Sequence, residues 1–96
     1  MISINTLLSE EVIKKLAIPS NYRLGKEIAG RGGVEFIESE PLKVVAKVKG
    51  GQSNRTVMML ATKEGLDWKC TCTNKKGHFC KHCVAIGLSL LKSKEV

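Results

Sequence analysis

The sequence predicts an α+β domain in which short N-terminal helices precede a small antiparallel β-sheet and the chain ends in another helix. Three observations support this: helix-start signals in the first third, alternating apolar residues in the middle, and an apolar stretch from Val84 to Leu91. A chain of 96 residues is expected to form a single domain over 1–96. Its parts are a helical segment over 1–33, a sheet segment over 34–65 and a final segment over 66–92.

The first third carries the signals of two short helices. Ser9 is a good N-cap for a helix whose first turn holds two acidic residues, and Pro19 is expected to end that helix. Ser20 is then expected to cap a second helix. That helix should end at the glycine-rich segment 30–33, because glycine readily adopts the left-handed conformation that terminates helices.

Three strands are predicted next, over 34–38, 42–49 and 55–61. The middle strand alternates, which predicts a sheet with one buried face and one basic, exposed face. The residues expected on the buried face are Leu42, Val44, Ala46 and Val48, and those on the other face are Lys43, Lys47 and Lys49.

The same period of two continues through Leu66, Trp68, Cys70 and Cys72. An extended chain would therefore place these four side chains on one face. Trp68 is expected to pack in the core, since it shares that face with the cysteines.

Every cysteine and histidine of the chain lies between residues 70 and 83. Cys70 and Cys72 are followed by a polar spacer, and Cys80 and His82 then stand at the start of the C-terminal helix, where the helix dipole favours a thiolate. Thiols stay reduced in an intracellular setting, so the pattern favours thiolate ligands over disulfides. Zinc is the simplest interpretation.

The pattern Cys70-x-Cys72, a polar spacer, and Cys80-x-His82 running into an apolar helix resembles the SWIM-type zinc finger. The resemblance implies a ββα zinc fold over 66–92, with one structural Zn²⁺ held by those four residues. Members bind DNA or proteins, occur in transposase-related, chromatin-remodelling and recombination-associated proteins, and have no catalytic chemistry in the finger. Upstream segments also resemble the region before the finger in prokaryotic members: Ser9-Glu10-Glu11, Tyr22-Arg23-Leu24-Gly25, Gly33-Val34, 44–50 and Trp68.

Cys83 departs from this family pattern, which usually has an aliphatic residue at that place, and it leaves the ligand set open. The competing set replaces His82 with Cys83, giving the Cys-x-x-Cys spacing of zinc knuckles, and further sets include His78. In the set that the resemblance implies, Cys83 is a small buried residue of the helix.

The sequence does not predict an enzyme. Four protein ligands would close the zinc coordination shell, whereas a catalytic zinc keeps a position for water. No glutamate lies within the cysteine-histidine segment to act as a general base.

Sixteen Lys and Arg residues against nine Asp and Glu residues give a net charge of +7. A basic chain attracts polyanions, so we expect a nucleic-acid partner, DNA above all, bound mainly through phosphate contacts. The expected contact residues form a rim around the ligands and extend across the sheet. They are Lys69, Lys75, Lys76, His78, Lys81, Lys47, Lys49 and Arg55.

The alternative function is a protein-interaction adaptor for a recombination, transposition or DNA-repair factor. The expected location is cytoplasmic, in association with the nucleoid if the protein binds DNA. No secretory signal or membrane partner is expected, and no small-molecule substrate is expected either.

Overall fold

In the computed structural model of the chain, which describes residues 3–50, 53–71 and 79–94, three helices precede a four-stranded antiparallel sheet and a C-terminal helix follows it. This confirms the predicted α+β class. The elements are α1 Ile4–Leu7, α2 Glu10–Leu16, α3 Pro19–Gly30, β1 Val34–Ser39, β2 Lys43–Gly50, β3 Ser53–Thr62, β4 Gly65–Cys70 and α4 Lys81–Lys94.

The helix boundaries follow local capping chemistry. The Ser9 hydroxyl accepts a hydrogen bond of 3.1 Å from the Val12 backbone N–H, which confirms it as the N-cap of α2. The predicted cap at Ser20 is wrong: α3 begins at Pro19, because the fixed φ of proline and its missing N–H suit the first helical position. Helix α1, with Ser3 as its N-cap, was not predicted.

Gly32 ends the helical part of the chain. Its φ of +69° is the left-handed conformation that the glycine-rich segment predicts. The backbone N–H of Gly33 donates to the Ile28 carbonyl, and the Lys49 N–H donates to the Gly33 carbonyl, so this turn joins α3 directly to the sheet.

The sheet has the order β1-β2-β3-β4, and its helix-facing side forms the core. Val44, Ala46 and Val48 of β2 are buried as predicted, whereas Leu42 lies before the strand and is 39% exposed. Four strands form instead of three, because the extended segment predicted around Trp68 pairs with β3 as an additional strand.

Helix α4 is buried along most of its length. Residues 82–87 and Leu90 are buried, which accounts for the apolar character of this segment. Helix α3 crosses α4 where Gly25 faces Val84, and a Cβ on Gly25 would overlap the Val84 side chain. Within the described ranges, no helix has the length and apolar character needed to span a membrane.

Candidate metal centre

The first side of the site is the end of β4. Cys70 pairs with Val57 of β3, and two hydrogen bonds continue this pairing just beyond it: the Thr71 N–H donates to the Thr56 carbonyl, and the Thr56 N–H donates to the Thr71 hydroxyl, each at 3.1 Å. This pairing fixes the backbone on both sides of Cys70. The sulfur therefore lies on the helix-facing side of the sheet, as the period of two predicts.

The second side is the start of α4. Cys80 immediately precedes the helix, and its carbonyl accepts a hydrogen bond of 3.1 Å from the Val84 N–H. His82 lies in the first turn. The close contact of Gly25 with Val84 holds this end of α4 against α3, so the ligands at the helix start are positioned by helix packing.

Cys70, Cys80 and His82 meet between these two elements. Nδ1 of His82 lies 3.6 Å from the sulfur of Cys70 and 3.6 Å from the sulfur of Cys80. The three donor atoms all lie within 4.8 Å of one another, and the three residues are no more than 5% exposed. Together they form a buried group that can hold a metal ion.

The spacing of the donor atoms fits a metal of tetrahedral geometry. Bonds of ~2.3 Å to sulfur and ~2.05 Å to nitrogen place the sulfur and nitrogen of a tetrahedral zinc site ~3.6 Å apart. Both measured distances between His82 Nδ1 and a cysteine sulfur agree with this value. Metal binding through Nδ1 requires that nitrogen to be unprotonated, so the neutral ring would carry its proton on Nε2.

Cys83 lies beside the group but does not belong to it. Its sulfur is 3.8 Å from the sulfur of Cys80, and the residue is fully buried. The metal-binding group within the described residues contains Cys80 but not Cys83.

The two sulfurs of this pair differ in their ionisation. Hydrogen bonds from Cys70 and then from Cys83 lower the pKa of the Cys80 thiol, against the effect of burial. The hydrogen bond with Cys80, followed by burial, raises the pKa of the Cys83 thiol. These directions favour ionisation of Cys80 over Cys83, which suits Cys80 to be a ligand.

Two aromatic rings lie next to the site. Trp68, two residues before Cys70 on the same side of β4, meets Phe79 with ring centroids 5.1 Å apart and an interplanar angle of 84°. Phe79 is buried, and Trp68 is half-buried against the core, as predicted for Trp68. This edge-to-face pair connects β4 to the start of α4, as the three ligands do.

Four of the residues singled out from the sequence lie outside the described residues. The structure brings together Cys70, Cys80 and His82 of the ligand set implied by the SWIM-type resemblance. The residues outside the described ranges are the fourth ligand of that set, Cys72, and the rim residues Lys75, Lys76 and His78.

Three of the remaining basic residues lie on the solvent side of the sheet. Lys69 is next to Cys70 in the sequence, but it pairs with Met58, so its side chain lies on the same side of the sheet as Lys47 and Lys49 and on the opposite side from Cys70. Lys81, next to Cys80, is the first residue of α4. Lys47 and Lys49 are exposed on the solvent side of the sheet. Arg55 lies opposite Val48, so it emerges on the helix-facing side and does not extend the surface formed by Lys47 and Lys49.

Acidic residues on the solvent side of the sheet were missed by the sequence reasoning. Glu35 lies directly opposite Lys47, and Glu38 forms an ion pair of 3.3 Å with Lys43. The predicted basic face is therefore a face of mixed charge. The alternating pattern of β1 indicates that Glu35 lies on the exposed face of the sheet. Which residue Glu35 faces on β2, however, depends on the pairing register.

No family model matches the chain, and neither the curated proteins nor the solved structures contain a match to it.

Proposed function

We propose that this protein is a structural zinc-binding domain that binds nucleic acid, with DNA as the expected partner. One observation carries the metal part of the proposal: Cys70, Cys80 and His82, from two different elements, place their donor atoms at tetrahedral spacing in a buried group. Two thiolates and an imidazole favour Zn²⁺ over Mg²⁺ or Ca²⁺, which prefer oxygen ligands.

Cys72 is the proposed fourth ligand, in keeping with the SWIM-type resemblance. Four protein ligands would close the coordination shell and make the zinc structural. The ion would then tie the end of β4 to the start of α4. In this proposal the site has no catalytic role, and its binding free energy contributes to folding.

The nucleic-acid part of the proposal rests on charge. The chain has a net charge of +7, and Lys69 and Lys81 adjoin two of the ligands in the sequence, with Lys69 on the solvent side of the sheet beside Lys47 and Lys49. Lysine makes contacts with phosphate that do not depend on sequence, and each contact releases counterions. We therefore expect affinity without strong base preference.

A salt titration tests this proposal. Fluorescence anisotropy with a fluorescein-labelled duplex of mixed sequence, and with its single strand, should show affinity that falls steeply between ~50 and ~200 mM salt. The variant carrying both Lys69→Gln and Lys81→Gln should reduce the slope of log K against log salt by ~1–2. No detectable binding at ~50 mM salt would contradict the nucleic-acid function.

Lys63→Gln provides a matched control for that experiment. Lys63 is exposed in the turn between β3 and β4, at the opposite end of the hairpin from Cys70. The control removes one positive charge, half of the charge that the double variant removes, at a position away from the metal centre. Its salt slope should equal that of the wild type if the contacts are made around the metal centre.

The second candidate function is a protein-interaction adaptor, and the solvent side of the sheet favours it. Val45, Met58 and Leu60 are half-buried there, with charges of both signs around them. Mixed charge around an apolar strip suits a protein partner better than a polyanion. An intact zinc domain that fails to bind nucleic acid at low salt would support this function.

A further inference from the structure

The sulfur of Cys83 is the one cysteine sulfur of the described residues that the proposed metal shell does not use. It lies 3.8 Å from the sulfur of Cys80, in a fully buried position. At this buried position, an aliphatic side chain would pack as well as a cysteine does. The direct contact between the two sulfurs is therefore the feature that packing alone does not require.

The position of the pair suits a disulfide. Cys80 directly precedes α4 and Cys83 lies in its first turn, three residues on, and side chains with this spacing are neighbours on a helix. To form the bond, the two sulfurs must approach from 3.8 Å to ~2.05 Å. Cys70 also lies near Cys80, but in the proposed zinc site its sulfur is bound to the metal, whereas Cys83 remains a free thiol.

We propose that Cys80 and Cys83 form a redox-active dithiol that hydrogen peroxide converts to a disulfide. The Cys80 thiolate attacks one peroxide oxygen, so that an S–O bond forms, the O–O bond breaks and hydroxide leaves. The Cys83 thiol then attacks the Cys80 sulfur, forming the S–S bond and releasing water. The two sulfurs lose two electrons in total, and the peroxide that accepts them becomes hydroxide and water.

The proposed dithiol adds redox control to the proposed metal centre, because the two sites share Cys80. A sulfur in a disulfide is not a thiolate ligand, so the disulfide and the metal-bound state exclude each other. Oxidation would release the ion, and reduction would restore the ligand. Cys83 would also protect Cys80, since a sulfenic acid without a nearby thiol proceeds to irreversible oxidation.

Peptide mapping of the full-length protein tests this inference directly. Trypsin cleaves after Lys69, Lys76, Lys81 and Lys92, so Cys80 and Cys83 fall in different peptides, GHFCK and HCVAIGLSLLK. Cys70 and Cys72 fall together in a third. After peroxide treatment and alkylation of the remaining thiols, the expected product is a disulfide joining GHFCK to HCVAIGLSLLK. A disulfide that joins either of them to the peptide of Cys70 would overturn the proposal.

Recovery of metal binding supplies the second readout. A colorimetric chelator should detect zinc released by peroxide from the wild type, and dithiothreitol should restore zinc binding. Cys83→Ser should bind zinc before treatment, but regain less than about half of it after peroxide and dithiothreitol. Full recovery in this variant would contradict a protective role for Cys83.

The two proposals fail separately. The disulfide can be mapped whether or not zinc is present, so a protein that binds no zinc but forms the bond would contradict only the metal centre. A zinc-containing protein that forms no bond between Cys80 and Cys83 would contradict only the dithiol.

Discussion

The sulfur of Cys70 lies 3.6 Å from Nδ1 of His82, although they are twelve positions apart in the sequence and belong to different elements. Strand pairing fixes one of these residues, and helix packing fixes the other. A ligand pair that joins two elements couples metal binding to folding, because the pair does not persist when the elements separate. The following predictions depend on this coupling.

Cys80→Ser should abolish metal binding, whereas Cys83→Ser should leave about one zinc per chain, as expected for a four-ligand structural site. Cys80 belongs to the group of three donors and Cys83 does not. Elemental analysis by mass spectrometry of the purified variants measures the stoichiometry. The opposite pattern would place Cys83 in the shell and remove Cys80 from it.

Removal of the metal should unfold the chain around residues 66–91. The free energy of unfolding should fall by at least about 3 kcal/mol, since binding of a structural zinc contributes to folding. Trp68 is the single tryptophan of the chain and packs on Phe79, so its emission should shift to longer wavelength as this contact opens. Unchanged emission and unchanged NMR dispersion after verified metal removal would contradict the coupling.

Gly25→Ala should destabilise the protein by about 2–4 kcal/mol, because an added Cβ overlaps Val84 and approaches the Lys81 carbonyl oxygen to 2.6 Å. Gly30→Ala is the matched control: its Cβ would meet no atom within 4 Å, and it should be neutral or stabilising. Urea unfolding of both variants measures the difference. Equal stabilities would mean that α3 does not pack closely on α4 near the metal centre.

The ionisation of Tyr22 should depend on Glu10. The Tyr22 hydroxyl donates a 2.8 Å hydrogen bond to Glu10, and this bond is the main cause that raises the pKa of Tyr22 above its ordinary value of 10.0. A raised folded pKa means that this contact stabilises the fold below pH 10 and is lost as the pH rises through the folded value.

Ultraviolet titration measures this pKa cleanly, since Tyr22 is the single tyrosine of the chain. Glu10→Gln should move the midpoint down towards the ordinary value, because it removes the negative charge. Glu11→Gln serves as the control, since Glu11 is an exposed neighbour on the same helix. A midpoint that is the same in all three proteins would exclude the interaction in solution.

The predictable parts of the fold are those that depend on neighbouring residues. Ser9 caps α2 through a hydrogen bond within the same turn, and Gly32 adopts the conformation that its missing side chain permits. Helix α2 ends before Pro19, as predicted, but Pro19 also begins α3, and this second role was missed. The same residue type suits both the region after one helix and the first position of the next.

The parts that could not be predicted depend on pairing between distant segments. β3 has apolar residues on both faces, so the sequence does not determine which side Arg55 occupies until β2 pairs with it. A register shift between Phe36 and Glu38 in β1 sets which acidic residue faces which lysine, and this shift has no clear local signal. The sequence identified the candidate ligands, but their distances required the tertiary structure.

X-ray absorption spectroscopy of the zinc-loaded protein tests the metal centre most directly. The proposed site predicts a shell of three sulfur atoms at ~2.3 Å and one nitrogen atom at ~2.0 Å, with the multiple-scattering features of an imidazole ring. His82→Ala should remove those features while Lys63→Gln keeps them. A wild-type shell of four sulfur atoms, or one dominated by oxygen, would contradict a site formed by Cys70, Cys72, Cys80 and His82.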